Sequence, residues 1–363
     1  MHRAAAMAVI AAALAVTTAG AAQPGCAERV SVRGEVRLDR AFGVRSLGRA
    51  DPIDARTVFR LASVSKQFTA AAVLTLVAEG RLSLNGHLRT LLPELPAYTE
   101  RITVRHLLTH TSGLPDYEEL MEADTAAGGT TYTAARQIDD AAVIRLLART
   151  TAPRFAPGSR WAYSNSAYVV LGVLVARVSG QPFARYLADK VFRPNGLRAT
   201  QLRVPGHGVM THRAYGHAGA PGVWRPSDQS STSATGGDGG VYSSVEDLAH
   251  WLTLVADGRT VFDRFADEAF AAVTLAGGTA ARWPVEADED NLDPGGTVAY
   301  GFGWFLDPAL GARRRWHFGT SEGFRTAIDW FPDRRVVSVV LCNRMDLDAK
   351  SRALDNAEPY LLP

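Results

Sequence analysis

The chain has 363 residues, of which 47% are hydrophobic and 21% charged, enough to bury one large core or two smaller ones in contact. Its 39 Lys and Arg nearly balance 37 Asp and Glu along the whole length, so the net charge of +2 gives neither a nucleic-acid footprint nor a membrane-surface one. The basic run Arg313-Arg314-Arg315 falls in what reads as a turn between strands.

Residues 1–21 join a short basic start to an apolar run over 4–16 and a small-residue end at Ala19-Gly20-Ala21. That pattern predicts a secretory signal, too short for a comfortable membrane span; an uncleaved anchor or a buried helix is the alternative. The exported chain, residues 22–363, is then expected in the periplasm or outside the cell, with no stable membrane span once the signal is removed. Oxidising surroundings would allow Cys26 and Cys342 to pair, a bond that sequence leaves open. Gln23-Pro24-Gly25-Cys26 is a poor acylation site, because the residue three before the cysteine is polar.

Next, residues 30–47 alternate apolar and polar side chains around Gly34 and Gly43, as two short antiparallel strands would. Helices are predicted over 63–79, closed by Gly80; 104–108; 139–149; 166–179, closed by Gly180; 183–191; and 245–256. Ser243-Ser244-Val245-Glu246 reads as a capping box for the last of these. The glycines of Gly236-Gly237-Asp238-Gly239-Gly240 read as a close-approach loop, since no phosphate-binding pattern accompanies them. Strands follow at 298–306, 314–319, 325–331 and 336–343, the last two joined by a Pro332-Asp333 turn, and a helix over 347–360 ends the chain. The expected class is α/β (α+β). An antiparallel sheet is built from both chain ends, residues 22–62 and 296–363, with a mainly helical insertion over 63–295 and a cleft where the two meet.

Only Lys66, Lys190 and Lys350 are lysine in a chain otherwise supplied with arginine. Lys66 stands three residues after Ser63 at the start of an apolar helix, so the two side chains share one face. A serine hydroxyl becomes a useful nucleophile when a neighbouring base takes its proton. Lysine can be that base when burial or nearby positive charge permits, and arginine cannot. The plain alternative is a helix cap with a solvated lysine. However, Phe68, Ala71, Val73, Leu74 and Val77 leave the helix little exposed surface, and a buried lysine needs a reason. Arg160 to Ser166 brings a phenol, Tyr163, and an amide, Asn165, to the start of another helix. There they can move protons and hold a carbonyl, or simply pack and cap. His317 and Gly319 lie on a predicted strand, the glycine admitting a close approach to the backbone.

In the order Ser-x-x-Lys, Tyr-x-Asn, His-x-Gly the chain resembles the penicillin-recognising serine hydrolases. It is most similar to the branch of class C β-lactamases, D-Ala-D-Ala carboxypeptidases, D-aminopeptidases and β-lactamase-like esterases. The likeness runs from about residue 30 onward and includes "FRLASVSKQFTAAAVLTLVAEGRLSL", "ITVRHLLTHTSGLPDY", "RFAPGSRWAYSNSAYVVLGVLV", "GDGGVYSSVEDLAHW", "YGFGW" and "GTSEGFRT". It implies a β-lactamase/penicillin-binding-protein-like fold and acyl transfer through a covalent intermediate without metal or other cofactor. It also implies a role for each motif residue: Ser63 as nucleophile, Lys66 as its activating partner, Tyr163 as general base and acid, Asn165 as substrate-orienting amide, and His317 with Gly319 as the third wall. The oxyanion hole would be the N–H groups of Ser63 and Thr320.

The third motif departs from the Lys-Thr-Gly usual in β-lactamases of this branch. A histidine is a weaker anchor for a carboxylate than a permanent ammonium, which favours esterase or D-peptidase-like action. Ser65 lacks a lysine three residues on and is no competitor for Ser63. His106 and His110 imitate a zinc pair, but the intervening glutamate is missing and structural roles are expected. His207, His212 and His217 are expected in a loop lining the cleft. The acidic stretch 286–290 lacks calcium-loop spacing and is expected to face solvent. The expected partner is a small-molecule or peptide substrate; the competing function is a catalytically silent member that binds peptidoglycan or a protein. Pocket size is expected to depend on how the loops 121–138 and 204–235 fold over the cleft, and sequence sets neither the substrate nor the oligomeric state.

Overall fold

The computed structural model describes residues 22–49, 51–206, 208–285 and 292–361. The predicted signal segment, His207 and the acidic stretch 286–290 lie outside these.

Strands β1 (Cys26–Val32) and β2 (Glu35–Phe42) form a hairpin across Arg33 and Gly34, both left-handed at φ 54° and 84°, as a two-residue turn between twisted strands demands. The other strands of this sheet come from the far end of the sequence: β6 (Arg315–Ser321), β7 (Phe324–Phe331) and β8 (Val336–Cys342). The sheet is five-stranded and antiparallel where pairs are resolved, in the order β2-β1-β8-β7-β6, with Cys26 opposite Cys342 and the two joined by a disulfide. Central β8, Val-Val-Ser-Val-Val-Leu-Cys, is buried at every residue, because helices α6 (Val245–Ala256) and α7 (Ala349–Ala357) both pack on it. Fully buried Glu28 of β1 ties α7 down. Its carboxylate pairs with Arg40 of β2 and Arg352 of α7, and Asn356 donates to it at 2.9 Å, so the charge is compensated.

The helical half is organised by α1 (Lys66–Ala78), entered through a 3-10 turn at Ala62–Ser65, and α5 (Asn165–Ser179), which ends at left-handed Gly180. The loop 236–240 is wedged between these helices. A Cβ on Gly237 would stand 2.0 Å from the Tyr168 carbonyl oxygen, so the close-approach reading holds. A small second sheet, β3 (Phe59–Arg60), β5 (Val241–Ser243) and β4 (Gln201–Leu202) in the order β3-β5-β4, carries the chain into Ala62.

Four sequence readings are corrected. Residues 298–306 are not a strand: Gly301 and Gly303 (φ 82°) fold Tyr-Gly-Phe-Gly-Trp back on itself, Tyr300 bridging Phe305. Alternating glycines and aromatics imitate the two-residue period of a strand, whereas here Gly303 lets the loop lie on α1, its Cβ position 3.0 Å from Gln67 Cα. The cap of α6 is Ser244, which accepts from Asp247 N–H, while Ser243 ends β5 and bonds Thr200. The predicted helix 183–191 is α-helical only over Phe183–Tyr186 and continues as a π turn, Leu187–Phe192. Finally, a helix α3 (Tyr117–Ala126) starts at its cap Asp116; its polar sequence has no apolar stripe to reveal it. The remaining predicted helices are α2 (Val104–Leu108) and α4 (Asp140–Ala148).

Candidate active site

Ser63 stands in the 3-10 turn directly after Ala62, whose φ of 48° is a conformation few side chains accept. Lys66 opens α1 and is fully buried. Its Nζ donates to Ser63 Oγ at 3.0 Å, to Asn165 Oδ1 at 2.8 Å and to the Asp238 carbonyl oxygen at 3.0 Å, one acceptor for each N–H of an ammonium. The same Nζ lies 4.7 Å from the centre of the Tyr163 ring. Three sequence-distant segments thus meet at one amine. Ser65 is excluded, since it is fully buried and its Oγ accepts from Val241 N–H at 3.0 Å.

The segment bearing Tyr163 and Asn165 is held from outside. His110 accepts Ala162 N–H through its carbonyl oxygen at 3.0 Å and Ser164 N–H through Nδ1 at 3.1 Å. Asp116 Oδ2 accepts Asn165 N–H at 2.9 Å, and Ser164 Oγ caps α5. His106 completes a capping box on α2, its Nδ1 accepting Thr103 N–H. Neither histidine is free to act as half of a zinc site. Among the described residues no cluster of three or more His, Cys, Asp or Glu is placed to hold a metal.

His317, expected to help form the third wall, is enclosed. It is buried, with Nδ1 2.7 Å from the Phe318 carbonyl oxygen and Nε2 3.0 Å from Tyr300 Oη. A carbonyl only accepts, so Nδ1 carries the proton and Nε2 accepts from the tyrosine. Burial, reinforced by the Lys66 charge, pushes the imidazole down to about 3, leaving it neutral at ordinary pH. Burial likewise holds the Tyr300 phenol well above its usual range, so it remains a donor. Gly319 admits a close approach, but by the protein's own backbone: a Cβ there would lie 2.2 Å from the Leu61 carbonyl oxygen. This contact presses β6 against the turn that presents Ser63, while the next residue, Thr320, is exposed at the cleft.

Ser63, Asn165 and Thr320 line one cavity of about 230 Å³. Its walls include Arg60, Glu118, Asp238 and Arg325, charges of both signs that sequence reasoning did not single out. Arg60 and Asp238 are buried, and Tyr117 of α3 donates to Asp238 Oδ2 at 3.1 Å. The only signal for Asp116 and Tyr117 was their place in the "ITVRHLLTHTSGLPDY" stretch, and Glu118 lies just beyond it. Larger hollows of about 690, 680 and 820 Å³ contain none of the motif residues, so size does not locate this site. Of the two segments expected to shape it, 204–235 contributes Ser230 and Thr232, whereas parts of 121–138 line the other hollows instead. His212 pairs with Asp54 at 2.9 Å, and His217 bonds Leu47 N–H and the Asn343 carbonyl, so neither lines the cleft as expected.

A family model described as Beta-lactamase matches residues 10–359. Among curated proteins, the chain is 32% identical to esterase EstB of Burkholderia gladioli, over 91% of this chain and 88% of that one. It is 27% identical to penicillin-binding protein 4* of Bacillus subtilis (strain 168), over 91% and 70%. A penicillin-binding protein homologue from Pyrococcus abyssi, described as octameric, superposes with a TM-score of 0.75 at 25% identity, covering 93% of this chain and 73% of that one.

Proposed function

The chain belongs to the Beta-lactamase family, with the serine hydrolase chemistry of that fold, and we propose that it is an exported hydrolase that forms an acyl-enzyme on Ser63. The observation that carries this reading is the buried Lys66 amine, 3.0 Å from the Ser63 hydroxyl and close against Tyr163. Ser63 Oγ attacks the substrate carbonyl carbon while its proton passes to Tyr163 acting as its phenolate, and the adjacent Lys66 cation stabilises the negative charge that moves from the phenolate toward the attacking oxygen. The tetrahedral oxyanion is received by the N–H groups of Ser63 and Thr320. As the intermediate collapses, Tyr163 returns the proton to the departing alcohol or amine, then takes one from the water that attacks the acyl-enzyme and hands it to Ser63 Oγ as the acid is released. Asn165 holds Lys66 in place and presents its amide to the substrate.

Esters and D-peptide-like amides are the proposed substrates ahead of β-lactams. The third-motif position offers a neutral, buried imidazole where a lysine would supply a permanent charge. A 230 Å³ cavity with charged walls suits a small polar acyl group better than a long alkyl chain. The Cys26–Cys342 disulfide accords with export to an oxidising compartment. A fluorophosphonate probe should add covalently to Ser63 and not to Ser63→Ala. Short p-nitrophenyl esters or D-alanyl peptides should be turned over faster than nitrocefin. An unmodified wild-type protein after long incubation would refute the acyl-enzyme, and nitrocefin as the best substrate would refute the specificity.

A further inference from the structure

We propose that His110 is a positioning residue that sets the place of the Tyr163 phenol by gripping the backbone on both sides of it. The acceptors are its carbonyl oxygen for Ala162 N–H and its Nδ1 for Ser164 N–H, so the residue between these two donors has little freedom to swing. The imidazole also lies against the phenol itself, with ring centroids 4.4 Å apart, and Trp161, Tyr168 and Tyr300 surround it at 4.7 to 5.8 Å.

Three further features show that the residue is committed to this task. Its φ of 58° is the left-handed conformation that few non-glycine residues adopt, and the residue is held in it between the two grips. The side chain is fully buried. Since Nδ1 must be the acceptor for a backbone N–H, the ring proton sits on Nε2, which is buried, has no conventional hydrogen-bond partner among the described residues and lies among aromatic faces. Burial and the neighbouring Lys66 charge keep the imidazole well below its ordinary titration range, so Nδ1 stays an acceptor throughout the working pH. A protonated ring would lose the grip on Ser164 and put a second cation beside Lys66.

The assignment rests on Tyr163 being the proton carrier of the proposed reaction, but it can be read without turnover. His110→Asn and His110→Gly both suit the left-handed backbone, and only asparagine places an acceptor where Nδ1 lies. In protein labelled at tyrosine Cζ, the Tyr163 resonance, identified through Tyr163→Phe, should move in the glycine variant and return toward wild type in the asparagine variant. On the best ester, kcat should fall about 10- to 100-fold in His110→Gly with KM nearly unchanged, the size of loss expected from a misplaced catalytic group. His110→Asn should recover to within about threefold, since its acceptor restores the backbone bond. In the Tyr163→Phe background His110→Gly should cost almost nothing more. An unmoved Tyr163 resonance in His110→Gly overturns the proposal, as does a loss of kcat that multiplies in full on top of Tyr163→Phe. Wild-type labelling of Ser63 tests the acyl-enzyme separately, so the two failures are distinguishable.

Discussion

Two walls face Ser63 and they are built on opposite plans. On the Tyr163 side, the N–H groups of Ala162, Ser164 and Asn165 all have side-chain or backbone acceptors, and the lysine beside them is fully buried. On the β6-β7 side, Thr320 is exposed, Glu322 and Arg325 are half-exposed, and Arg325 donates to the carbonyl oxygens of Ser321 and Phe324 in its own turn. Proton transfer tolerates little displacement, whereas recognition of a varied polar acyl group is served by partly exposed polar side chains at the mouth of the cleft. The first wall is therefore the one on which rate should depend, and the second the one on which selectivity should depend.

That division can be broken most severely at the amine. Lys66→Arg keeps the charge but substitutes a bulkier, planar fork for a tetrahedral donor set, so kcat should fall by about 10³-fold or more while the fold survives. Retained turnover in a steady-state ester assay would put the proton chemistry elsewhere. A smaller effect comes from two buried, neutral histidines, His110 behind the Tyr163 wall and His317 on β6. Their folded-state values lie below the ordinary 6.5, His317 at about 3, so below pH 6.5 the unfolded chain takes up protons that the folded chain refuses. Stability should be flat in this respect above pH 6.5 and decline as pH falls toward 3, by about 3 kcal/mol for His317 at pH 4.5, with His110 acting in the same direction. Urea midpoints at pH 7.5 and 4.5 measure it, and His317→Asn should narrow the gap between them. Smallest should be Arg325→Gln, expected to change KM by about three- to tenfold among polar acyl substrates with kcat and Tm nearly unchanged, as a solvent-facing charge contact would. A large kcat loss there would erase the distinction between the walls.

Ser63, Lys66, Tyr163 and Asn165 were legible in advance because their chemistry depends on residue type at short spacing, and the structure brings all four together. The sheet was legible as well, since β7 and β8 show plain apolar runs around a Pro-Asp turn. His110 was read only as structural. Its grip joins residues 54 apart in sequence and depends on a backbone angle that no composition pattern reports. His317 was read as part of the third wall; that it is buried, with Tyr300 folded against it by Gly301 and Gly303, depends on a distant loop that its own motif does not report. The charged cavity wall comes from four separate segments, so nothing local announces it.

The pairing of β1 with β8 has a consequence for how the molecule is made. Cys26 meets Cys342 across 316 residues, and every rung of that ladder waits for the same distant strand. During synthesis the first hairpin emerges with one edge open, and it stays unsealed until nearly the whole polypeptide has followed. Such late, long-range closure makes assembly slow, and it gives the central strand the part of a final fastener rather than a nucleus.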